Sequence, residues 1–184
     1  MKIIKQLLAA ALAVSALLVL SCGNPASGNN SGDNSGGDWE FLNRNLQGNF
    51  NGKAYEFVSG YAEESYWDVG AFDIYLYDIP VSDGLDPWSF FAYPMDVEQL
   101  RVSATVPAAV GVTELFFNMT TWENKTVNLY DLQDESLNIL VHIGAVEILE
   151  INETEGTVSG RISASNGQGD SVNGNFTVPI APAD

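Results

Sequence analysis

The chain has 184 residues, of which 24 are Asp or Glu and 7 are Lys or Arg, so its formal net charge at pH 7 is −17. A chain this acidic repels the phosphate backbone of a nucleic acid, and the sequence has no basic cluster that would offset the repulsion. Nucleic-acid binding is therefore excluded. The single cysteine, Cys22, rules out both an intramolecular disulfide and a thiolate metal cluster.

The first 21 residues have the layout of an export signal. Lys2 and Lys5 precede an apolar run from Leu7 to Leu20, and a charged start followed by such a run is typical of secretory signal peptides. The run is shorter than the about 20 apolar residues that a membrane-spanning helix needs. We therefore expect residues 1–21 to direct export and then to be removed, rather than to anchor the chain permanently.

The residues before the only cysteine indicate a lipid anchor. Val19, Leu20 and Ser21 directly precede Cys22, and this tetrapeptide resembles the lipobox of bacterial lipoproteins. The resemblance implies that the Cys22 thiol takes a diacylglyceryl group, that the chain is cut before it, and that two or three acyl chains hold the product on a membrane. It also implies the outer membrane of a bacterial cell envelope, because Gly23 stands where Asp would favour the inner membrane. A secretory signal with an incidental cysteine is the alternative, and periplasmic or surface orientation stays open.

Residues 22–38 are predicted to form a flexible tether that begins at the lipidated cysteine. From Asn24 to Asp38 the chain contains only Gly, Ser, Asn, Asp, Pro and Ala. Such a composition buries too little apolar surface to offset chain entropy. A random coil of this length separates its ends by about 20 Å on average, so we expect the tether to hold the following domain clear of the membrane.

Residues 39–184 are expected to fold as a single all-β domain. Apolar side chains alternate with others along segments 72–77 and 100–106, which predicts half-buried antiparallel strands. Asn51 and Gly52 lie between two short extended runs and predict a hairpin. Roughly nine strands follow from this pattern, and they favour an antiparallel β-sandwich or a small β-barrel, because either architecture shields the strand edges.

The C-terminal part has the most regular pattern. It is expected to form four strands, with turns near Gly144, at residues 152–156 and at residues 166–170. Its Gly-spaced strands resemble the closing pattern of small β-rich lipoproteins of unknown function from Bacteroidetes-type bacteria. The segments that carry this resemblance are 144–148, 158–164 and 172–178. The resemblance implies no catalytic residue.

Aromatic side chains are the first candidates for a binding site. Trp67, Trp88 and Trp122 fall in or beside expected loops, and Tyr75 and Tyr77 point away from the apolar face of their strand. Aromatic rings stack on the flat apolar faces of sugars, while nearby Asp and Asn accept hydroxyl protons. Trp67, Trp88, Tyr75 and Tyr77 are therefore predicted to bind a ligand, with carbohydrate favoured. In the alternative interpretation these rings pack across strands or fill a core.

Three aspartates form a second candidate site. Asp78, Asp83 and Asp86 share one expected loop with Gly84, an oxygen-rich set that is compatible with Ca²⁺. Their spacing does not match an EF-hand, and an ordinary pair of turns is the competing interpretation. Calcium is thus a candidate ligand of this loop, and the sequence predicts no other cofactor.

The sequence offers little support for catalysis. His142 is the only histidine, and no Gly-x-Ser-x-Gly motif is present. Glu147 with Glu150, or Asp73 with Asp78, are carboxylate pairs of the type that glycosidases use, but nothing in the sequence selects one pair.

These patterns together predict an envelope lipoprotein that acts as a binding module and not as an enzyme. Its expected partners are the membrane, through the lipid anchor, and a carbohydrate. A structural or assembly lipoprotein that binds an envelope protein is the first alternative. A small carbohydrate-active enzyme is the second.

Overall fold

The computed structural model describes residues 39–89, 91–94, 96–121, 123–133 and 138–183. The expected signal peptide, Cys22 and the tether lie outside the described residues, as does Trp122. Within the described ranges the chain forms thirteen β-strands and no helix, which confirms the predicted all-β class.

The strands vary in length from two to ten residues. In chain order they are β1 (Gln47–Phe50), β2 (Lys53–Glu56), β3 (Ser59–Glu64), β4 (Ala71–Tyr77), β5 (Leu100–Pro107), β6 (Gly111–Glu114), β7 (Phe116–Phe117), β8 (Asn124–Lys125), β9 (Val127–Asp131), β10 (Asn138–Val141), β11 (Ile143–Asn152), β12 (Thr157–Ser165) and β13 (Ser171–Pro179).

Most of these strands belong to two antiparallel sheets. The six-stranded sheet has the order β2-β1-β13-β12-β11-β6, the five-stranded sheet has the order β10-β9-β5-β4-β3, and β7 pairs with β8 separately. Apolar side chains from both sheets pack into one shared core. The sequence left a sandwich and a small barrel open. The described strands form two sheets with separate edges, which is consistent with the sandwich.

The structure has more strands than the roughly nine expected from alternation. The difference comes from short, largely exposed strands: β6 has four residues, and β7 and β8 have two each. No buried face imposes a period of two on such segments. Their sequences therefore carry no alternating pattern that would predict them.

The longer strands confirm the expected alternation. Phe72, Ile74 and Leu76 of β4 are buried, and every second residue of β5, β12 and β13 is buried in the same way. Burying one large apolar side chain contributes about 1.5–3 kcal/mol. This shared core therefore fixes which face of each strand is exposed to solvent.

The turn expected near Gly144 is wrong. Only His142 separates β10 from β11, and the chain passes there from the five-stranded to the six-stranded sheet. Gly144 lies inside β11 with φ 132°, and an added Cβ would lie 1.8 Å from the carbonyl oxygen of Ser163. The glycine is needed for this close approach of two backbones, which a sequence does not distinguish from a turn.

The other predicted turns are confirmed. Asn51 and Gly52, with φ 52° and 70°, connect β1 to β2, and two positive φ angles are the signature of a type I′ hairpin turn. Turns also join β11 to β12 and β12 to β13. The backbone N–H of Asn51 donates to Asp170 Oδ1 at 3.0 Å, so two of the turns meet at one end of the sandwich.

The residues that precede β1 lie across the outer face of the six-stranded sheet. The backbone N–H of Leu42 donates to Asn173 Oδ1 at 2.9 Å, and Asn173 Nδ2 donates to the Glu40 carbonyl at 2.8 Å. The Arg161 guanidinium lies 4.4 Å from the centroid of the Phe41 ring. The chain therefore joins the sandwich on the side opposite to the outer face of the five-stranded sheet.

Candidate ligand-binding site

The outer face of the five-stranded sheet carries a row of aromatic side chains. Side chains alternate across a strand, so Tyr61 of β3, Tyr75 of β4 and Tyr130 of β9 point away from the core, and Arg101 of β5 shares their face. The register places Tyr61 opposite Tyr75 and Arg101 opposite Tyr130. We call these four residues the tyrosine face.

The side chains of the tyrosine face contact one another. The ring centroids of Tyr61 and Tyr75 are 4.9 Å apart. The Arg101 Cζ atom lies 4.3 Å from the Tyr130 centroid and 5.6 Å from the Tyr75 centroid, distances at which the guanidinium is attracted to each ring. All four residues are half-buried, so each keeps part of its surface open to solvent.

Arg101 differs from three other basic side chains of this domain. Lys53, Lys125 and Arg161 each form an ion pair with a carboxylate. Within the described residues Arg101 forms no ion pair, and its buried Nε atom has no hydrogen-bond partner. The tyrosine face therefore holds a cation whose charge is neutralised by no contacting carboxylate among the described residues.

The β4–β5 loop covers one end of the tyrosine face. Tyr77 of β4 stacks on Tyr93 of this loop, with ring centroids 3.6 Å apart and ring planes inclined by 12°. Ala92 and neighbouring apolar side chains complete a small cluster around them. Because Tyr77 is only 6% exposed, it supports the loop and does not offer an open ring, unlike Tyr75.

Tyr61, Tyr75 and Tyr93 stay protonated through the neutral range. Burial raises the pKa of Tyr75 to about 12, and the nearby Asp73 carboxylate adds to the rise. Burial also raises the pKa of Tyr93 to about 12 and the pKa of Tyr61. Each phenol is therefore neutral at pH 7, with one hydrogen to donate and lone pairs to accept.

Polar side chains lie beside the rings. The register places Ser103 between Tyr75 and Asn128. Further along the strands, Asp73 Oδ1 accepts a hydrogen bond from Thr105 Oγ1 at 2.6 Å. Ring faces bordered by hydroxyl, amide and carboxylate groups suit a ligand that has both apolar and hydroxyl-bearing surfaces.

The structure places Trp67 on a second aromatic surface, apart from the tyrosine face. Tyr66, Trp67 and Val69 lie in the β3–β4 turn and are 84%, 88% and 98% exposed; we call these three residues the Trp67 turn. The Trp67 ring packs edge-on against Tyr66, with centroids 4.8 Å apart. Trp88 is half-buried in the β4–β5 loop, and no ring contact of the described residues joins it to Tyr75. Of the four predicted ligand-binding residues, only Tyr75 belongs to the tyrosine face.

The structure does not assemble the three predicted calcium ligands into a site. Asp78 Oδ1 accepts a hydrogen bond from the Leu100 backbone N–H at 2.8 Å, and burial raises the pKa of its carboxyl. Asp83 and Asp86 are exposed residues of the same loop. In the part of the chain that the structure describes, no group of three or more His, Cys, Asp or Glu residues is placed to hold a metal ion. The loop fits the turn interpretation better than the calcium interpretation.

Three of the four carboxylates considered for catalysis have structural partners, and Asp78, which accepts from Leu100, is one of them. Glu147 of β11 pairs with Arg161 of β12, and Asp73 of β4 accepts from Thr105 of β5. His142 is exposed at the passage between the sheets. The Glu147 and Asp73 contacts each join two neighbouring strands.

Sequence reasoning missed Tyr61, Arg101 and Tyr130 as site residues. Alternation in β5 did place Arg101 on an outward-facing position. The missing information was the strand order, because β9, β5, β4 and β3 are neighbours in the sheet but two long connections separate them in the chain. The sequence did contain one signal for this site, because tyrosine or arginine occupies an outward position in several of the strands.

Comparisons with protein-family models, with curated proteins and with solved structures returned no match. The described residues include no helix that is long and apolar enough to cross a membrane.

Proposed function

We propose that this protein is a lipid-anchored binding module of a bacterial cell envelope and that its tyrosine face binds carbohydrate. The observation that carries the proposal is the row of contacting side chains, Tyr61, Tyr75, Arg101 and Tyr130, on the half-buried outer face of the five-stranded sheet. The anchor is inferred from the residues around Cys22.

The chemistry of a sugar matches this row. A pyranose ring has flat C–H faces, which pack against aromatic rings, and a rim of hydroxyl groups. Neutral phenols, the Asn128 amide and the Asp73 carboxylate are the donors and acceptors that such hydroxyls need. The contacts between Tyr61 and Tyr75 already restrict both rings, which reduces the entropy lost when a ligand binds.

The placement of the face also suits a tethered receptor. The residues that precede β1 lie on the outer face of the six-stranded sheet, where Leu42 bonds to Asn173. The tyrosine face is on the other sheet and points away from that side. A polymer in the envelope is therefore able to reach the rings without displacing the N-terminal segment.

The test is a binding assay of the full chain, in micelles of an uncharged detergent, against a panel of immobilised polysaccharides. Tyr75→Ala removes the ring between Tyr61 and Arg101, and we expect it to weaken binding about tenfold or more, since tenfold corresponds to about 1.4 kcal/mol. Tyr66→Ala is the matched control, because it removes the same side chain from the Trp67 turn. Equal affinity of the two variants, or a panel that retains none of the protein, would contradict the proposal.

Assembly with an envelope protein is the second candidate function, and the Trp67 turn is the observation that favours it. Aromatic side chains dominate the binding energy of many protein interfaces, and Trp67 is 88% exposed. In this candidate function the turn packs against a protein partner and the tyrosine face is not required.

A further inference from the structure

Arg101 and Arg44 are the two described Lys or Arg residues that form no ion pair, and only Arg101 of these two contacts the rings of the tyrosine face. The chain has 24 acidic and 7 basic residues, yet no carboxylate among the described residues pairs with the Arg101 guanidinium. Its contacts are the faces of Tyr130 and Tyr75 instead. A cation kept apart from abundant carboxylates retains its capacity to pair with an anion from outside.

We propose that Arg101 binds the anionic group of an acidic saccharide, so that the ligand of the tyrosine face is a sugar bearing a carboxylate or a sulfate rather than a neutral one. This inference rests on the proposed function and names its ligand class.

The geometry of the guanidinium supports this ligand class. The Arg101 Cζ atom lies 4.3 Å from the Tyr130 centroid, and the Nε atom has no hydrogen-bond partner, so the guanidinium has an unused N–H donor. Arginine presents its N–H donors in a fork that matches the two oxygens of a carboxylate or sulfate. A hydroxyl offers this cation one neutral oxygen, whereas a carboxylate or sulfate offers a net negative charge and two oxygens for a bidentate contact, so an anion gains more at this position than a hydroxyl does.

The acidic side chains of the same face are Asp73 of β4 and Glu63 of β3, which are opposite each other in the sheet. Both act electrostatically on Tyr75, as Arg101 does with the opposite sign. Asp73 precedes Tyr77, which is opposite Arg101, by four residues, a separation of roughly 13 Å along β4. The arrangement predicts that the anionic group binds at the Arg101 end of the face and that neutral hydroxyls lie toward Asp73.

The experiment compares matched acidic and neutral probes on the full chain in uncharged detergent micelles. The pairs are oligogalacturonate with its methyl ester, and dextran sulfate with dextran. We expect the chain to bind at least one acidic probe about tenfold more tightly than its neutral partner. This preference should fall as NaCl rises from about 0.05 to about 0.5 M, because salt screens exposed charges.

Two variants assign the preference to the arginine. Arg101→Gln should bring the acidic and neutral members of a pair to equal affinity. Arg44→Gln should keep the preference, because it removes the same charge from an exposed residue outside the tyrosine face. Arg101→Lys retains the charge but loses the fork, so we expect an intermediate preference. The ratio of the affinities for the acidic and the neutral probe separates two roles of Arg101. If Arg101 only held Tyr75 and Tyr130 in place, its substitution would change both affinities alike and leave the ratio unchanged.

The outcomes distinguish this inference from the proposed function. Equal binding of both members of each pair by the unmodified chain would overturn the inference and leave carbohydrate binding in place. A preference that survives in Arg101→Gln, or that is lost equally in Arg44→Gln, would overturn the assignment to Arg101. Failure to bind any of the four probes would overturn the inference, whereas the proposed function depends on the wider polysaccharide panel.

Discussion

At the scale of single residues, Asp131 is distinguished by burial, since it is the one Asp or Glu among the described residues that is buried. It is 2% exposed, its Oδ2 atom lies 2.7 Å from Lys53 Nζ, and the same oxygen accepts from Asn51 Nδ2 at 3.0 Å. Burial on its own would raise the pKa of Asp131, but the hydrogen bonds from Lys53 and Asn51 outweigh burial and hold the pKa below its usual value. This carboxylate therefore joins the β1–β2 hairpin of one sheet to β9 of the other.

The lowered pKa predicts how stability changes with pH. Because the folded-state pKa of Asp131 is below the value of about 3.9 in an unfolded chain, its stabilising contribution is complete well above pH 4 and is lost as the pH falls through 3.9 toward the folded value. We expect Asp131→Asn to lower the free energy of unfolding by about 1.5–3 kcal/mol at pH 7 and by clearly less at pH 3. Urea unfolding of residues 35–184, which form one compact unit, measures both values.

The control for this prediction is the other carboxylate that contacts Lys53. Glu98 Oε1 also lies 2.7 Å from Lys53 Nζ, but its side chain is 67% exposed, so Glu98→Gln should cost less than about 1 kcal/mol. A loss in Asp131→Asn that is the same at pH 3 and pH 7 would show that the charge of Asp131 does not contribute.

At the scale of elements, the sequence predicted strands where one face is buried and turns where the backbone needs positive φ. Alternation identified β4 and β5, and Asn51-Gly52 identified the first hairpin. The passage from β10 to β11 was not predictable, because a single residue, His142, connects two strands of different sheets. Gly144 was read as a turn residue, although its role is to let β11 and β12 approach.

A substitution at Gly144 therefore tests whether the close approach of β11 and β12 requires a glycine. The φ of Gly144, 132°, disfavours any other residue, and a Cβ would lie 1.8 Å from Ser163 O. We expect Gly144→Ala to separate β11 from β12 and to lower the free energy of unfolding by more than about 3 kcal/mol, because both backbone strain and a steric clash contribute. Gly156→Ala is the control, since Gly156 also has a positive φ, 63°, but no atom lies within 4 Å of its added Cβ. Its cost should be about 1–2 kcal/mol. Similar melting temperatures for the two variants would contradict the steric account.

At the scale of the whole domain, separate surfaces carry the N-terminal segment that precedes β1 and the candidate sites. The N-terminal segment lies on the six-stranded sheet, the tyrosine face lies on the five-stranded sheet, and the Trp67 turn projects from the β3–β4 connection. The sequence identified Tyr75 and Trp67 as exposed aromatics but grouped them into one site. The distance between Tyr75 and Trp67 depends on their positions along the β3–β4 strand pair, and these positions cannot be derived without the register of the sheet.

This separation allows the two candidate functions to be tested independently. If the protein assembles with an envelope protein through the Trp67 turn, a photoreactive phenylalanine analogue in place of Trp67 should form one adduct of defined mass in cells that naturally make the protein. The same analogue at Thr154, an exposed residue of the β11–β12 turn, should form none. Trp67 is 88% exposed, so its replacement should leave the fold intact, and an excess of residues 35–184 should compete with adduct formation. Adducts of many masses at both positions, or none at Trp67 while Tyr75→Ala abolishes polysaccharide binding, would argue against assembly and leave the tyrosine face as the functional surface.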